Sequence, residues 1–234
     1  MSSTIDLKKQ TAKIVLQKRG VVTPPTAEVG ITIDVSGSMQ DEFARGEVQQ
    51  IMERALAVAT HFDKDGKMDV WTFDSRADYI GTATEDQAPN FVQQKIINNN
   101  SISKWGGTCY APVMNLIESH YFNKQVVSSG GLMGFFGKKT VTETKPDAPV
   151  FIMHITDGEN NDHYEFEEKL KQWASKNLYV QIVGIGNGDL SYVQEVAASA
   201  PNVGFCQIRD LKCSDEQMME QMIQPEFIQW VKQF

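Results

Sequence analysis

A chain of 234 residues with 41% hydrophobic, 9% aromatic and 22% charged residues has the composition of a globular protein with a sizeable core, which excludes a disordered polymer. Its net charge of −8, with Lys and Arg scattered, argues against a nucleic-acid partner, whose phosphates require a basic face. No stretch reaches the ~20 apolar residues of a membrane span. The N-terminus lacks the apolar run of a signal peptide, and Cys109, Cys206 and Cys213 form no disulfide or zinc spacing, so a reducing, cytoplasmic location is expected.

In chain order, residues 5–20 place Leu7, Thr11, Ile14 and Val15 among lysines, an amphipathic helix ending near Gly20. Pro24-Pro25 marks an extended connector. Val29 to Asp34 is a short β-branched run of the kind buried on both faces in a parallel sheet, and it stops at an acidic residue. Glu47 to Phe62 has helical apolar spacing. Met68 to Phe73 alternates as a strand, and Arg76 to Gly81, one tight turn later, reads as an antiparallel edge strand. Helices are expected over Phe91 to Ile97 and Val113 to Phe122, the latter with Pro112 in its first turn.

Val150 to Thr156 is the strongest strand, followed at once by Asp157. Helix (163–176), strand (179–185), helix (190–198), strand (204–208) and helices at 215–223 and 225–234 complete the alternation. The expected architecture is α/β: a three-layer, Rossmann-like, doubly wound and mostly parallel sheet with one antiparallel edge strand. Residues 1–26 form a helix and linker packed on a domain of residues 27–234, with a hairpin-like insertion at about 124–146. Gln125-Val-Val and Thr140-Val-Thr resemble the arms of that hairpin. Its tip, 128–137, is either a tolerated surface insertion or, through Leu132, Met133, Phe135 and Phe136, an exposed apolar contact for a partner or membrane.

Ligands of such sheets bind beyond the carboxyl ends of the strands, where chain order reverses, and both strand-end aspartates project there. Asp34-Val-Ser36-Gly37-Ser38 alternates oxygen-bearing side chains in a loop, with Gly37 expected to permit a sharp turn. Gly106-Gly107-Thr108 brings another hydroxyl before a helix, and Asp157 a second carboxylate. Hard oxygen ligands select Mg²⁺, Mn²⁺ or Ca²⁺ over zinc or copper. Asp34, Ser36, Ser38, Thr108 and Asp157 are therefore the candidate ligands, Mg²⁺ the leading ion. A site rich in neutral hydroxyls leaves the ion able to recruit one more carboxylate from outside.

The competing readings are local. Asp34 reads alternatively as a mere strand-end residue and Ser36 and Ser38 as a helix N-cap, since Ser and Asp often occupy such places, and Thr108 stands where it would cap the next helix. Asp74, Glu159 and Asp162 read as solvated or local caps. Cys109 lacks a paired histidine and reads as packing, as does His154 within its apolar strand. His61, His120 and His163 show no metal spacing, and Met218, Met219 and Met222 fall at helical spacing. Gly184-Ile-Gly186-Asn-Gly188 stands too late in the chain for a dinucleotide fingerprint.

The five candidate ligands, in this order and at these strand ends, resemble the metal-ion-dependent adhesion site (MIDAS) of von Willebrand factor A domains. Asp69-Val-Trp-Thr-Phe, Gly-Gly-Thr108-Cys-Tyr-Ala-Pro, Ile-Thr-Asp157-Gly-Glu-Asn and the N-terminal Leu-Lys-Lys helix are similar to the intracellular branch linked to tellurium resistance and copines. The resemblance implies a non-enzymatic, cytoplasmic binding module in a stress-response complex, peripheral to a membrane at most. Its metal holds a Glu or Asp carboxylate of a protein partner, and movement of the 106–108 loop tunes affinity. Two rivals remain. One is a Mg²⁺-dependent phosphatase or phosphotransferase using Asp34 as nucleophile, though the general acid that haloacid-dehalogenase-like phosphatases place two residues later is here Ser36. The other is a scaffold with a purely structural metal and the 128–137 tip as its contact. Oligomeric state is not legible.

Overall fold

The computed structural model describes residues 4–63, 65–122, 124–128, 139–143 and 146–234. In chain order its elements are α1 (Thr4–Lys18), β1 (Glu28–Asp34), α2 (Gln40–Ala44), α3 (Glu47–Ala59), β2 (Met68–Phe73), β3 (Ala77–Ala83), α4 (Ala111–Tyr121), β4 (Lys124–Ser128), β5 (Lys139–Glu143), β6 (Val150–Thr156), α5 (His163–Trp173), β7 (Leu178–Ile185), α6 (Ser191–Ser199), β8 (Val203–Ile208), α7 (Asp215–Met222) and α8 (Pro225–Val231). A 3-10 turn (Gly37–Met39) precedes α2, and a π-helical turn occupies Val92–Ile97.

The main sheet has six strands in the order β3-β2-β1-β6-β7-β8. Every pairing is parallel except β2 with β3, whose register shifts between Val70 and Trp71. From β1 the chain runs outward through β2 to β3, then returns to lay β6 on the other side of β1. The order therefore reverses between β1 and β6, and their carboxyl ends carry Asp34 and Asp157.

The strand pattern follows from burial on two faces. All residues of β6 and β7 are buried, and of β1 all but Glu28. One core cluster joins α1, α3, α7 and α8 to one face of the sheet, with Ile31, Ile33, Leu56, Phe151 and Phe227 at its centre. The other joins α4, α5 and α6 to the opposite face around Trp71, Phe73, Tyr110, Ile152 and Trp173. Each fully buried large apolar side chain contributes about 1.5–3 kcal/mol, so these two cores carry the stability of the fold. Met218, Met219 and Met222 lie in the first core as their spacing predicts.

The first helix buries Val15 as expected but is otherwise turned from the expected face. Its buried residues are Lys8, Ala12, Val15 and Leu16, while Leu7 and Ile14 are 56% and 49% exposed. Lys8 is tolerated inside because its ammonium lies 3.4 Å from Glu53 of α3 and 3.9 Å from Asp215 of α7. Arg54 of α3 adds a 2.8 Å contact to Asp215. A buried charge needs such partners, and here they pin α1 across α3 and α7.

Strands β4 and β5 pair antiparallel over Lys124↔Glu143 to Ser128↔Lys139, the two arms read from the sequence. The apolar tip with Leu132, Met133, Phe135 and Phe136 lies outside the described residues. No described helix is long and apolar enough to cross a membrane.

His154, in the middle of β6, is buried and stacks on Phe73 with ring centroids 4.6 Å apart. Its Nδ1 lies 2.6 Å from the Thr32 hydroxyl. Burial pushes the imidazole from 6.5 down to about 3. The unfolded chain therefore accepts a proton below pH ~6.5 that the fold refuses. The stability contributed by the neutral ring is complete above pH ~6.5 and is lost as pH falls toward the folded value. The stability advantage of the wild type over His154→Phe is expected to shrink by about 2 kcal/mol between pH 6.5 and pH 5, measured by urea unfolding.

Candidate metal centre

Three loops meet at the carboxyl ends of β1, β2 and β6. Asp34 ends β1 with no exposed surface. The Ser36 amide donates to its Oδ1 at 2.7 Å, and the Thr156 hydroxyl to its Oδ2 at 2.7 Å. Ser36 and Ser38 bring their Oγ atoms to 3.1 Å, and Ser38 Oγ donates to Asp157 Oδ1 at 2.9 Å. Asp34, Ser36, Ser38 and Asp157 thus stand in one chain of hydrogen bonds, although 119 positions separate Ser38 from Asp157.

Thr108, 8% exposed, enters through its backbone. Its carbonyl accepts from the Asn161 amide at 2.8 Å, tying it to the Asp157 loop. Two residues earlier, the Gly106 carbonyl accepts from the Gly37 amide at 2.9 Å, tying the same segment to the serine loop.

Neither local capping reading holds. Ser36 stands at the N-cap of the 3-10 turn with no side-chain cap, and α4 takes its cap from elsewhere. The Asp162 carboxylate receives the Tyr110 amide at 2.9 Å and the Ala111 amide at 2.8 Å, filling the α4 N-terminus from a distant loop. Gly37 is also not the turn-maker expected, since it is absent from the positive-φ glycines. An ordinary 3-10 turn makes the bend.

Both carboxylates are electrostatically uncomfortable. Burial pushes Asp34 from 3.8 up to about 6, opposed by its bonds from Ser36 and Thr156 and reinforced by the charge of Asp157. Burial also raises Asp157, with Ser38 opposing and Glu42 reinforcing. Among the described residues no cation contributes to either shift. Two partly desolvated carboxylates beside hydroxyls form a donor set that fits a hard divalent ion. Among the described residues no group of three or more His, Cys, Asp or Glu side chains could hold a metal, so a thiolate or imidazole centre is not built here.

The sequence profile of the vWA domain found at the C terminus of TerF matches residues 26–234. The chain belongs to the von Willebrand factor A family. Over 99% of its length it is 31% identical to the uncharacterised protein YcbR of Bacillus subtilis strain 168, covering 88% of that protein. The fold is similar to that of proximal thread matrix protein 1 from the mussel byssus, with a TM-score of 0.59 at 15% identity. That match covers 87% of this chain and 48% of the mussel protein, about half its length. Manganese-loaded TRAP protein of Plasmodium vivax matches at a TM-score of 0.51 and 13% identity, over 86% of this chain and 73% of that one.

Several supports of this vWA site were read only in part from sequence, or not at all; Asp74 does cap the nearby Arg76 amide at 2.8 Å. Asp74 is not solvated but 1% exposed; its Oδ2 accepts from Ser103 Oγ at 2.7 Å and the Gly106 amide at 3.1 Å. Glu159 caps α6 by accepting from the Tyr192 amide at 3.0 Å. Tyr110 donates its phenol to the Gly158 carbonyl at 2.6 Å and lies 3.2 Å from Thr156 Oγ1, so α4 reaches the two loops that hold the carboxylates. The one local signal was the density of strand-end acids; the partners through which they tie the loops together lie far along the chain.

Gly188 is also part of the frame. A Cβ there would stand 1.9 Å from the Asp157 carbonyl, a backbone atom that cannot rotate away. Gly188→Ala is therefore expected to destabilise the protein by about 1–3 kcal/mol in urea unfolding, by displacing the Asp157 loop.

Proposed function

We propose that the chain is a metal-dependent protein-binding module. Asp34, Ser36, Ser38, Thr108 and Asp157 hold a divalent cation, Mg²⁺ by preference and Mn²⁺ or Ca²⁺ as substitutes, directly or through water. When bound, the ion supplies a Lewis-acidic position for one carboxylate oxygen of a partner's Glu or Asp. The observation that carries this reading is the hydrogen-bonded convergence of Asp34, Ser36, Ser38 and Asp157 at the switch point of the sheet. The mussel protein, in one of its structures, has a zinc-occupied MIDAS motif, and the TRAP structure is manganese-loaded. These support a divalent ion here without deciding which one.

The residues divide the work. Asp34 and Asp157 contribute the negative charge, and burial of both strengthens their attraction for a cation. The hydroxyls of Ser36, Ser38 and Thr108 contribute oxygens without charge. Where the two carboxylates act through water, the ion's direct ligands are neutral hydroxyls and water, which leaves it Lewis-acidic enough to favour a carboxylate from outside. Placement in a cytoplasmic tellurium-resistance or stress-response complex follows from the branch of the family and belongs to the same proposal.

The phosphatase reading is disfavoured by Asp34 itself. A carboxylate with no exposed surface leaves no room for in-line attack on a phosphoryl group, whereas a small ion or its bound water needs only the lone pairs that two hydrogen bonds leave free. A purely structural metal is less favoured because Ser38, nearest to solvent of the linked residues, leaves the centre open on one side.

Calorimetric titration of metal-stripped protein with Mg²⁺, Mn²⁺ and Ca²⁺ tests the proposal. Saturable binding is expected, strengthened by excess acetate as a carboxylate probe and lost in Asp34→Ala with the far-UV spectrum unchanged. No turnover of p-nitrophenyl phosphate is expected in any of the three ions. Binding that survives Asp34→Ala, or steady phosphate release abolished by it, would overturn the assignment.

A further inference from the structure

Thr108 is the one candidate ligand that the hydrogen-bond chain among Asp34, Ser36, Ser38 and Asp157 does not include. Something else must fix its position. The segment 103–109 is anchored almost residue by residue. The Ser103 amide donates to Asp78 Oδ2 at 3.0 Å, and the Trp105 amide to the Val35 carbonyl at 2.7 Å. The Gly107 amide donates to Ser75 Oγ at 3.0 Å, and the Cys109 amide to the Asp74 carbonyl at 3.0 Å. Lys104 adds its ammonium to the carbonyls of Ile96, at 3.0 Å, and Asn99.

Asp74 reaches both ends of this segment. Its Oδ2 accepts from Ser103 Oγ and the Gly106 amide, its Oδ1 from the Arg76 amide at 2.8 Å, and its carbonyl from Cys109. The contact at Gly106 is close: a Cβ there would lie 2.8 Å from Asp74 Oδ2. The segment also carries Trp105 at φ 68°, the one non-glycine positive φ among the described residues. Such a conformation costs about 1–3 kcal/mol and persists only where the surroundings over-determine it.

We propose that Asp74 is a positioning residue for the metal centre: by clamping the Ser103–Cys109 segment it sets the Thr108 hydroxyl at the ion, without touching the ion itself. This rests on the metal-binding reading above. Both carboxylate oxygens accept backbone N–H groups, so an amide in its place must turn its own NH₂ against one of them. Asp74→Asn is therefore expected to behave like Asp74→Ala despite its matched size.

A double-mutant cycle in the full chain, read as Mg²⁺ affinity by calorimetry, tests this. Loss of a residue supporting a metal ligand typically costs 10–100-fold in affinity, and that weakening is expected for Asp74→Ala and Asp74→Asn with Thr108 present. In a Thr108→Ala background the same changes are expected to weaken binding less than about 3-fold, because the residue they act through is gone. Gly106→Ala breaks the contact from the other side with every Asp74 atom retained, and should reproduce the Thr108-dependent loss if the Asp74 variants fold poorly. A loss of equal size in both backgrounds, or none with Thr108 present, would refute the positioning role while leaving the metal site standing. No Mg²⁺, Mn²⁺ or Ca²⁺ binding by the wild type would overturn both.

Discussion

The arrangement of this face depends on one carboxylate kept out of water. Asp34 closes the central strand of a sheet covered on both sides, so its oxygens can be satisfied only by groups the fold itself delivers. One is the Ser36 amide, which fixes how the chain leaves β1; the other is the Thr156 hydroxyl, which fixes how β6 ends. Parallel pairing of β1 with β6 puts those two departures side by side. Everything proposed for the site follows from that adjacency, including the serine loop that bends over to reach Asp157.

The same burial creates a charge that no cation among the described residues neutralises. Hydrogen bonds to Asp34 lower the cost of ionising it but leave it raised to about 6, and Asp157 is raised beside it. A lysine or arginine reaching in would have relieved both and closed the site. The basic residues nearby are engaged elsewhere: Arg45 with Glu42 and Glu47, Lys104 with helix-end carbonyls, Arg76 with Ser103. A small cation suits the deficit where a long side chain does not, because it accepts several oxygens at short range from different directions.

The strands were legible because burial on two faces demands unbroken β-branched and apolar runs, and β1, β6 and β7 have little else. The five candidate ligands stand out in the sequence because strand-end acids and alternating hydroxyls break that apolar pattern abruptly. Less was visible where a residue's environment is set by distant chain. Leu7 and Ile14 look like the core face of α1, yet Lys8 is buried in their stead because Glu53 and Asp215 await it on other helices. Asp74 reads as a solvated residue or a local cap, and it does cap Arg76, but the Gly106 amide it also serves lies 32 positions away. Asp162 caps a helix that begins 51 positions before it. Period and propensity report the elements, whereas these side chains report how the elements are held against one another.

That second kind of information bears on how the Thr108 segment behaves. Its position is shared among Val35, Gly37, Asp74, Ser75, Asp78 and Asn161, which belong to three different loops and the edge strand. Moving the segment as a body would break several of these bonds at a net cost of about 1 kcal/mol each, with desolvation added wherever a buried group is left unpaired. A shift of the 106–108 loop is therefore not a free adjustment to an incoming ligand. It has to be driven by a differential contact that a partner makes only with the shifted form. In the proposed centre, a locked segment would hold the Thr108 hydroxyl in place before an ion arrives, leaving little ordering entropy to offset its weak, uncharged coordination. In such a centre, neutral ligands and a rigid frame would belong together: the first would leave an ion open to an outside carboxylate, and the second would keep it bound until one arrives.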